Sequence, residues 1–129
     1  MIHAVVYDAG ALIAAQRNDV SFHRQHRWFV HHGVDIFVPV PVFVQVYRGE
    51  ARQHGLYVVL KDIELHTADR SIAESAGRAL KNSGTSDAVD ALVAATAVRL
   101  AAPVVTSDFD DITALLLALD APKHPVRRV

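Results

Sequence analysis

Short apolar runs alternate along the chain with longer stretches of mixed polarity. Residues 2–7 are apolar and β-branched and stop at Asp8. A continuous apolar run of this length beside helical patterns predicts a strand buried on both faces of a parallel sheet. Residues 10–17 then predict a short helix. Residues 20–32 predict a second, with Ser21 near its start and Gly33 past its end as the stop. A second strand is expected at 35–38, closed by Pro39. Pro41 suits the first turn of a helix over 42–52, and residues 56–60 either extend that helix or pack as a loop. Residues 63–66 predict a third strand. Asp69 is a good cap for a helix to Leu80, with residues 82–84 as the stop. Thr85 or Ser86 would cap a helix running through Ala101. Residues 103–106 predict a fourth strand that ends at Ser107 and Asp108. Residues 111–119 predict a last helix, and 126–129 an edge strand. Strands separated by helices predict an α/β three-layer domain, a central and mostly parallel sheet flanked by helices. No repeat, linker or low-complexity segment interrupts it, so one domain is expected over 1–129.

Composition narrows the chemistry. The chain has 129 residues, 51% of them hydrophobic and 21% charged, which is globular and not disordered. With no cysteine, a disulfide framework, a thiolate metal site and a cysteine nucleophile are excluded. Lys plus Arg number 13 against 14 for Asp plus Glu, a net charge of -1, so no bulk basic field draws nucleic acid. No apolar run reaches the roughly 18 residues of a membrane span. The opening Met1, Ile2 and His3 carry no basic leader pattern, and a cytoplasmic setting is expected.

The acids are placed less evenly than the net charge suggests. Asp8 and Asp108 each end an expected parallel strand, at the sheet edge where open α/β folds bind ligands. Helix capping does not obviously explain acids at those two places. Asp87 and Asp90 open a helix, about 60° apart around its axis and so on one face. Asp110 and Asp111 follow Asp108 closely. Asp69 and Asp87 also suit helix N-termini as caps, and Asp110 and Asp111 suit the helix dipole. Carboxylates gathered from distant segments repel one another unless a hard cation such as Mg²⁺ or Mn²⁺ compensates, leaving room for water and phosphate oxygens.

Four segments in order resemble the PIN-domain nucleases, and among them the VapC-type toxins of bacterial toxin–antitoxin pairs. They are residues 6–14 around Asp8, 38–49 around Gln45, 84–95 around Asp87 and Asp90, and 105–112 around Asp108. The resemblance covers almost the whole chain. It implies a Mg²⁺- or Mn²⁺-dependent endoribonuclease in which a metal-activated water attacks an RNA phosphodiester. By motif, Asp8, Asp90 and Asp108 would be the central metal ligands and Asp87 and Asp111 supporting acids. Asp110 is a further acid, and Thr106 or Ser107 would orient a carboxylate or a water. A homodimer and a small VapB-like antitoxin are the partners implied. One departure is plain, because the family carries Glu where this chain has Gln45. An amide keeps an oxygen but loses its charge and cannot act as a base. Glu50 is a poor substitute, about 140° away on a continuous helix. A weakened domain acting through antitoxin binding and autoregulation is therefore the alternative.

Other residues carry less. Arg17, Arg48 and Arg52 are candidate phosphate contacts, with Arg48 the best placed for RNA. His23 and His26 share a helix face, but no carboxylate completes a metal site in that stretch, so a solvated face is expected. Trp28 and Phe29 are expected as core or interface anchors, and Leu115, Leu116, Leu117 and Leu119 as a buried face. A phosphatase with Asp8 as nucleophile would want a second Asp two residues on, where Gly10 stands.

Overall fold

The computed structural model describes residues 2–85 and 87–129. Five strands form one sheet in the order β3-β2-β1-β4-β5, with β1 Ala4–Tyr7, β2 Asp35–Pro39, β3 Glu64–His66, β4 Val104–Thr106 and β5 Val126–Arg128. Every strand pair is parallel, so the sheet is parallel throughout and not merely mostly so. The helices are α1 Ala9–Gln16, α2 Val20–His31, α3 Val40–Val46, α4 His54–Leu60, α5 Arg70–Ser83, α6 Ala88–Leu100 and α7 Phe109–Ala118. Helices α5, α6 and α7 pack on one another, and α1 packs on α2, α3 and α4, which gives the three layers expected.

The central strand explains the order. Val5, Val6 and Tyr7 of β1 are fully buried. Burying a large apolar side chain of this kind contributes about 1.5–3 kcal/mol. A strand covered on both faces has no solvated side on which polar residues could alternate. The core continues through Leu12, Phe22, Phe29, Val38, Leu56, Ile112 and Leu115.

Several sequence expectations need correction. The helix expected over 42–52 ends at Val46. Tyr47 is extended, and Gly49 takes a left-handed φ of +68°. The break is held by the buried side chain of Gln53, in a 3-10 turn at Ala51–Gln53. Its amide donates to the Val46 carbonyl at 2.8 Å and its oxygen accepts the Arg48 N–H at 2.8 Å. Residues 54–60 are accordingly a helix of their own, not a loop. Helix α6 is capped by Asp87 and not by Thr85, while Ser86 lies outside the described residues. Helix α7 starts two residues early, at Phe109.

His26 is buried, not solvated. Its Nδ1 pairs with the Tyr7 hydroxyl at 2.8 Å and its Nε2 with Asp62 at 3.0 Å. The carboxylate that completes this trio comes from 36 residues away, beyond the local stretch. Burial lowers the His26 pKa and Asp62 partly restores it; burial also raises that of Tyr7. Phe29 is core, but Trp28 is 50% exposed and stacks on His32 at 3.9 Å. Of the leucines, 115 and 116 are buried and Leu117 is 63% exposed, because consecutive helical positions turn by about 100°.

Candidate metal centre

Parallel pairing of β1 with β4 brings both carboxyl ends to one edge, with Tyr7 beside Val105. Asp8 follows β1 and also caps α1. Its Oδ1 accepts the Ala11 N–H at 2.9 Å, and its Oδ2 accepts the hydroxyl hydrogen of Thr106. Capping therefore does explain one oxygen of Asp8, because the strand turns straight into a helix. Thr106 Oγ1 in turn accepts the Asp108 N–H at 2.7 Å. Asp108 stands at the same junction before α7, yet its carboxylate makes no capping bond.

Gly10 permits this close junction. A Cβ there would lie 1.8 Å from Ser107 Oγ and 2.6 Å from its Cβ. Gly10 and Ser107 also line a hollow of about 300 Å³ with Arg17, Asp19 and Val129.

The start of helix α6 supplies two further acids. Asp87 Oδ1 accepts the N–H groups of Val89 and Asp90, each at 3.0 Å. Asp87 is thus a cap just outside the helix, and not one of two acids on a helical face. Asp90 is only 8% exposed. One carboxylate oxygen each from Asp90, Asp108 and Asp111 lie within 4.8 Å of one another. Asp8 is outside this trio but close enough to act on it. Burial, then the charges of Asp87, Asp108, Asp8 and Asp111, push the Asp90 pKa up to about 7. Burial likewise raises the pKa of Asp8, and Asp108 adds to the rise. The bonds from Thr106, Ala11 and Gly10 hold it partly down.

The cluster suits a hard divalent cation. Asp90 Oδ2 is buried with no hydrogen-bond partner. A buried carboxylate oxygen left unpaired among like charges is costly. Ligands at about 2.1 Å from Mg²⁺ stand at most about 4.2 Å apart, a span of the same order as the spacing of the trio. The other expected residues lie outside the trio. Asp110 and Ser107 are exposed, as is Gln45 on the last turn of α3. Glu50 is not on α3 at all and pairs with Arg52 at 3.2 Å. Arg48 turns its guanidinium back onto the carbonyls of Val44 and Tyr47, at 3.0 and 2.8 Å.

The PIN-domain family model matches residues 5–114. The chain belongs to the PIN-domain family. PIN domains are nucleases. The fold of this PIN domain is that of VapBC2 from Rickettsia felis, solved bound to a DNA fragment from its promoter. The TM-score is 0.74 and the identity 14%, over 97% of this chain and 98% of the other. FitAB bound to the IR36 DNA fragment gives 0.61 at 15% identity, over 96% and 94%. PAE2754 from Pyrobaculum aerophilum gives 0.59 at 21%, over 96% and 91%. No curated protein matches the sequence.

Proposed function

We propose that this PIN domain, spanning the whole chain, is a Mg²⁺- or Mn²⁺-dependent endoribonuclease. In this reading it is the toxin of a type II toxin–antitoxin pair. The observation that carries the reading is the unpartnered Asp90 Oδ2 beside Asp108 and Asp111. Those three carboxylates would hold the cation, with Asp87 and Asp8 adding negative charge at its flank. A bound Mg²⁺ or Mn²⁺ supplies a hard positive charge that acidifies water and offsets charge on a phosphodiester. Thr106 fixes Asp8 by donating to it and fixes the Asp108 backbone by accepting from it. Asp110 and Ser107 flank the entrance as supporting polar groups. The VapBC2 and FitAB likenesses support a small VapB-like antitoxin as partner; a homodimer and a cytoplasmic setting complete the proposal. No helix is long and apolar enough to cross a membrane among the described residues.

Gln45 favours a second reading, a weakened nuclease that acts mainly by binding its antitoxin. One assay separates the two. The purified chain is incubated with labelled single-stranded RNA in Mg²⁺, Mn²⁺ or chelator, beside Asp90→Asn. The first reading expects metal-dependent cleavage that falls at least about 100-fold in the variant. Cleavage that persists equally in chelator and in Asp90→Asn would sink it. No cleavage under any condition, with antitoxin binding intact, selects the second.

A further inference from the structure

Four of the ten arginines of this chain have a protein acceptor for their guanidinium. Arg52 pairs with Glu50, Arg70 with Glu74 and Arg99 with Asp69, while Arg48 is tied to two carbonyls. Among the others, Arg127 and Arg128 each sit over an aromatic ring, and Arg128 is the one beside the acid-bearing junction. It ends β5, and its register partner across the sheet is Thr106, the residue that binds both Asp8 and Asp108. Adjacent strands lie about 4.8 Å apart, so the backbone of Arg128 is one strand spacing from the acid-bearing junction. Its guanidinium sits over the ring of Phe109, 4.0 Å from the centroid, and Phe109 directly follows Asp108.

That contact has a chemical consequence. A ring face attracts the cation without accepting any of its N–H hydrogens. The guanidinium is held in place, yet its donors remain open, and no ion pair with Asp or Glu engages it among the described residues. A planar donor fork of this kind matches phosphate oxygens bidentately. An acid cluster that handles a polyanion also needs cationic charge at its rim, because the carboxylates repel the phosphates on either side of the reacting one.

The geometry points to Arg128, steadied by Phe109, as the residue that holds a substrate phosphate flanking the scissile one. This deepens the ribonuclease reading above and rests on it. Arg128 is a binding and positioning residue, with no bond making or breaking assigned to it. The competing explanation is that a cation on an edge strand only discourages edge-to-edge pairing with other chains.

The test uses the full chain and a fluorescein-labelled 12-nucleotide single-stranded RNA, with Ca²⁺ present for binding and Mn²⁺ for cleavage. Arg128→Ala is expected to weaken binding about tenfold and to lower the slope of log K against log salt by about 0.7. In cleavage it raises KM about tenfold and leaves kcat within about twofold, while Mn²⁺ affinity is unchanged. Arg128→Lys restores part of the affinity and the whole salt slope. Phe109→Leu weakens binding by less than Arg128→Ala and keeps the slope. An unchanged slope in Arg128→Ala overturns the assignment, as does an altered oligomeric state with unchanged RNA binding, which is the edge-protection result. A chain that binds the RNA with an Arg128-dependent slope yet cleaves none of it supports the phosphate contact and removes the nuclease reading. Normal cleavage with no Arg128 effect on KM does the reverse.

Discussion

Thr106 anchors Asp8 across the sheet, its hydroxyl donating to the Oδ2 of an acid 98 positions earlier in the chain while its oxygen accepts the Asp108 N–H. Both bonds are made by one β4 side chain that is fully buried. Thr106→Val keeps the shape and β propensity but removes both bonds. It is expected to lower stability by about 2–3 kcal/mol, read from urea unfolding, because a buried carboxylate oxygen and a backbone N–H lose their partners. Unchanged stability would mean that water replaces the hydroxyl at no cost.

The unoffset acids impose a pH dependence of a defined sign. Asp90, with its pKa pushed up to about 7, and Asp8, also raised, bind protons more tightly in the fold than in the unfolded chain. Their contribution to stability is complete below about pH 4 and is lost as the pH rises through about 7. In chelator, wild type should lose about 2 kcal/mol relative to Asp90→Asn between those limits, discounted for water at the cluster mouth. His26 acts in the opposite sense, its pKa being lowered, and cancels in this comparison. Excess Mn²⁺ should remove the difference. Thermal melts across pH check it, and parallel curves for wild type and variant in chelator would refute it.

Gly10→Ala places a methyl into Ser107. A loss of about 1–3 kcal/mol is expected from the forced shift of the junction, together with weaker Mn²⁺ binding by calorimetry. Ser107→Gly in the same chain should recover only part of this. The Ser107 backbone nitrogen would still lie 3.0 Å from the new Cβ.

His26→Leu leaves the buried Tyr7 hydroxyl without its partner. Stability should fall by about 1–3 kcal/mol, while Mn²⁺ affinity stays at the wild-type value. A drop in metal affinity of tenfold or more would connect this network to the acid cluster and refute its purely structural role.

Gln45→Glu should raise Mn²⁺ affinity and RNA cleavage together, if position 45 serves the site as the family pattern implies. Calorimetry and the cleavage assay check it. No gain in either would remove Gln45 from the metal centre.

The strands were legible because a both-faces-buried parallel strand writes itself as an unbroken apolar run, as in Val5, Val6 and Tyr7. The acids were legible because Asp8 and Asp108 end such runs. What periodicity could not show were side chains acting at a distance. Gln53 stops α3 from seven residues away, and nothing local at Val46 announces it. His26 falls on the buried stripe Phe22, His26 and Phe29, a spacing visible in the sequence, but its partner Asp62 is far along the chain. Arg128 gains its meaning only from the register that sets it beside Thr106.

The 98-residue separation of Thr106 from Asp8 also orders events in time. Chains emerge from the ribosome N-terminus first, and contacts distant in sequence close late. Asp8 is made almost at once, but its hydroxyl partner and the acids at 108 and 111 belong to the last quarter of synthesis. The residues of β1, β2 and β3 are all made before the acid trio is complete. Under the proposed function, a chain that stops before β4 lacks Asp108 and Asp111, two of the three carboxylates of the trio.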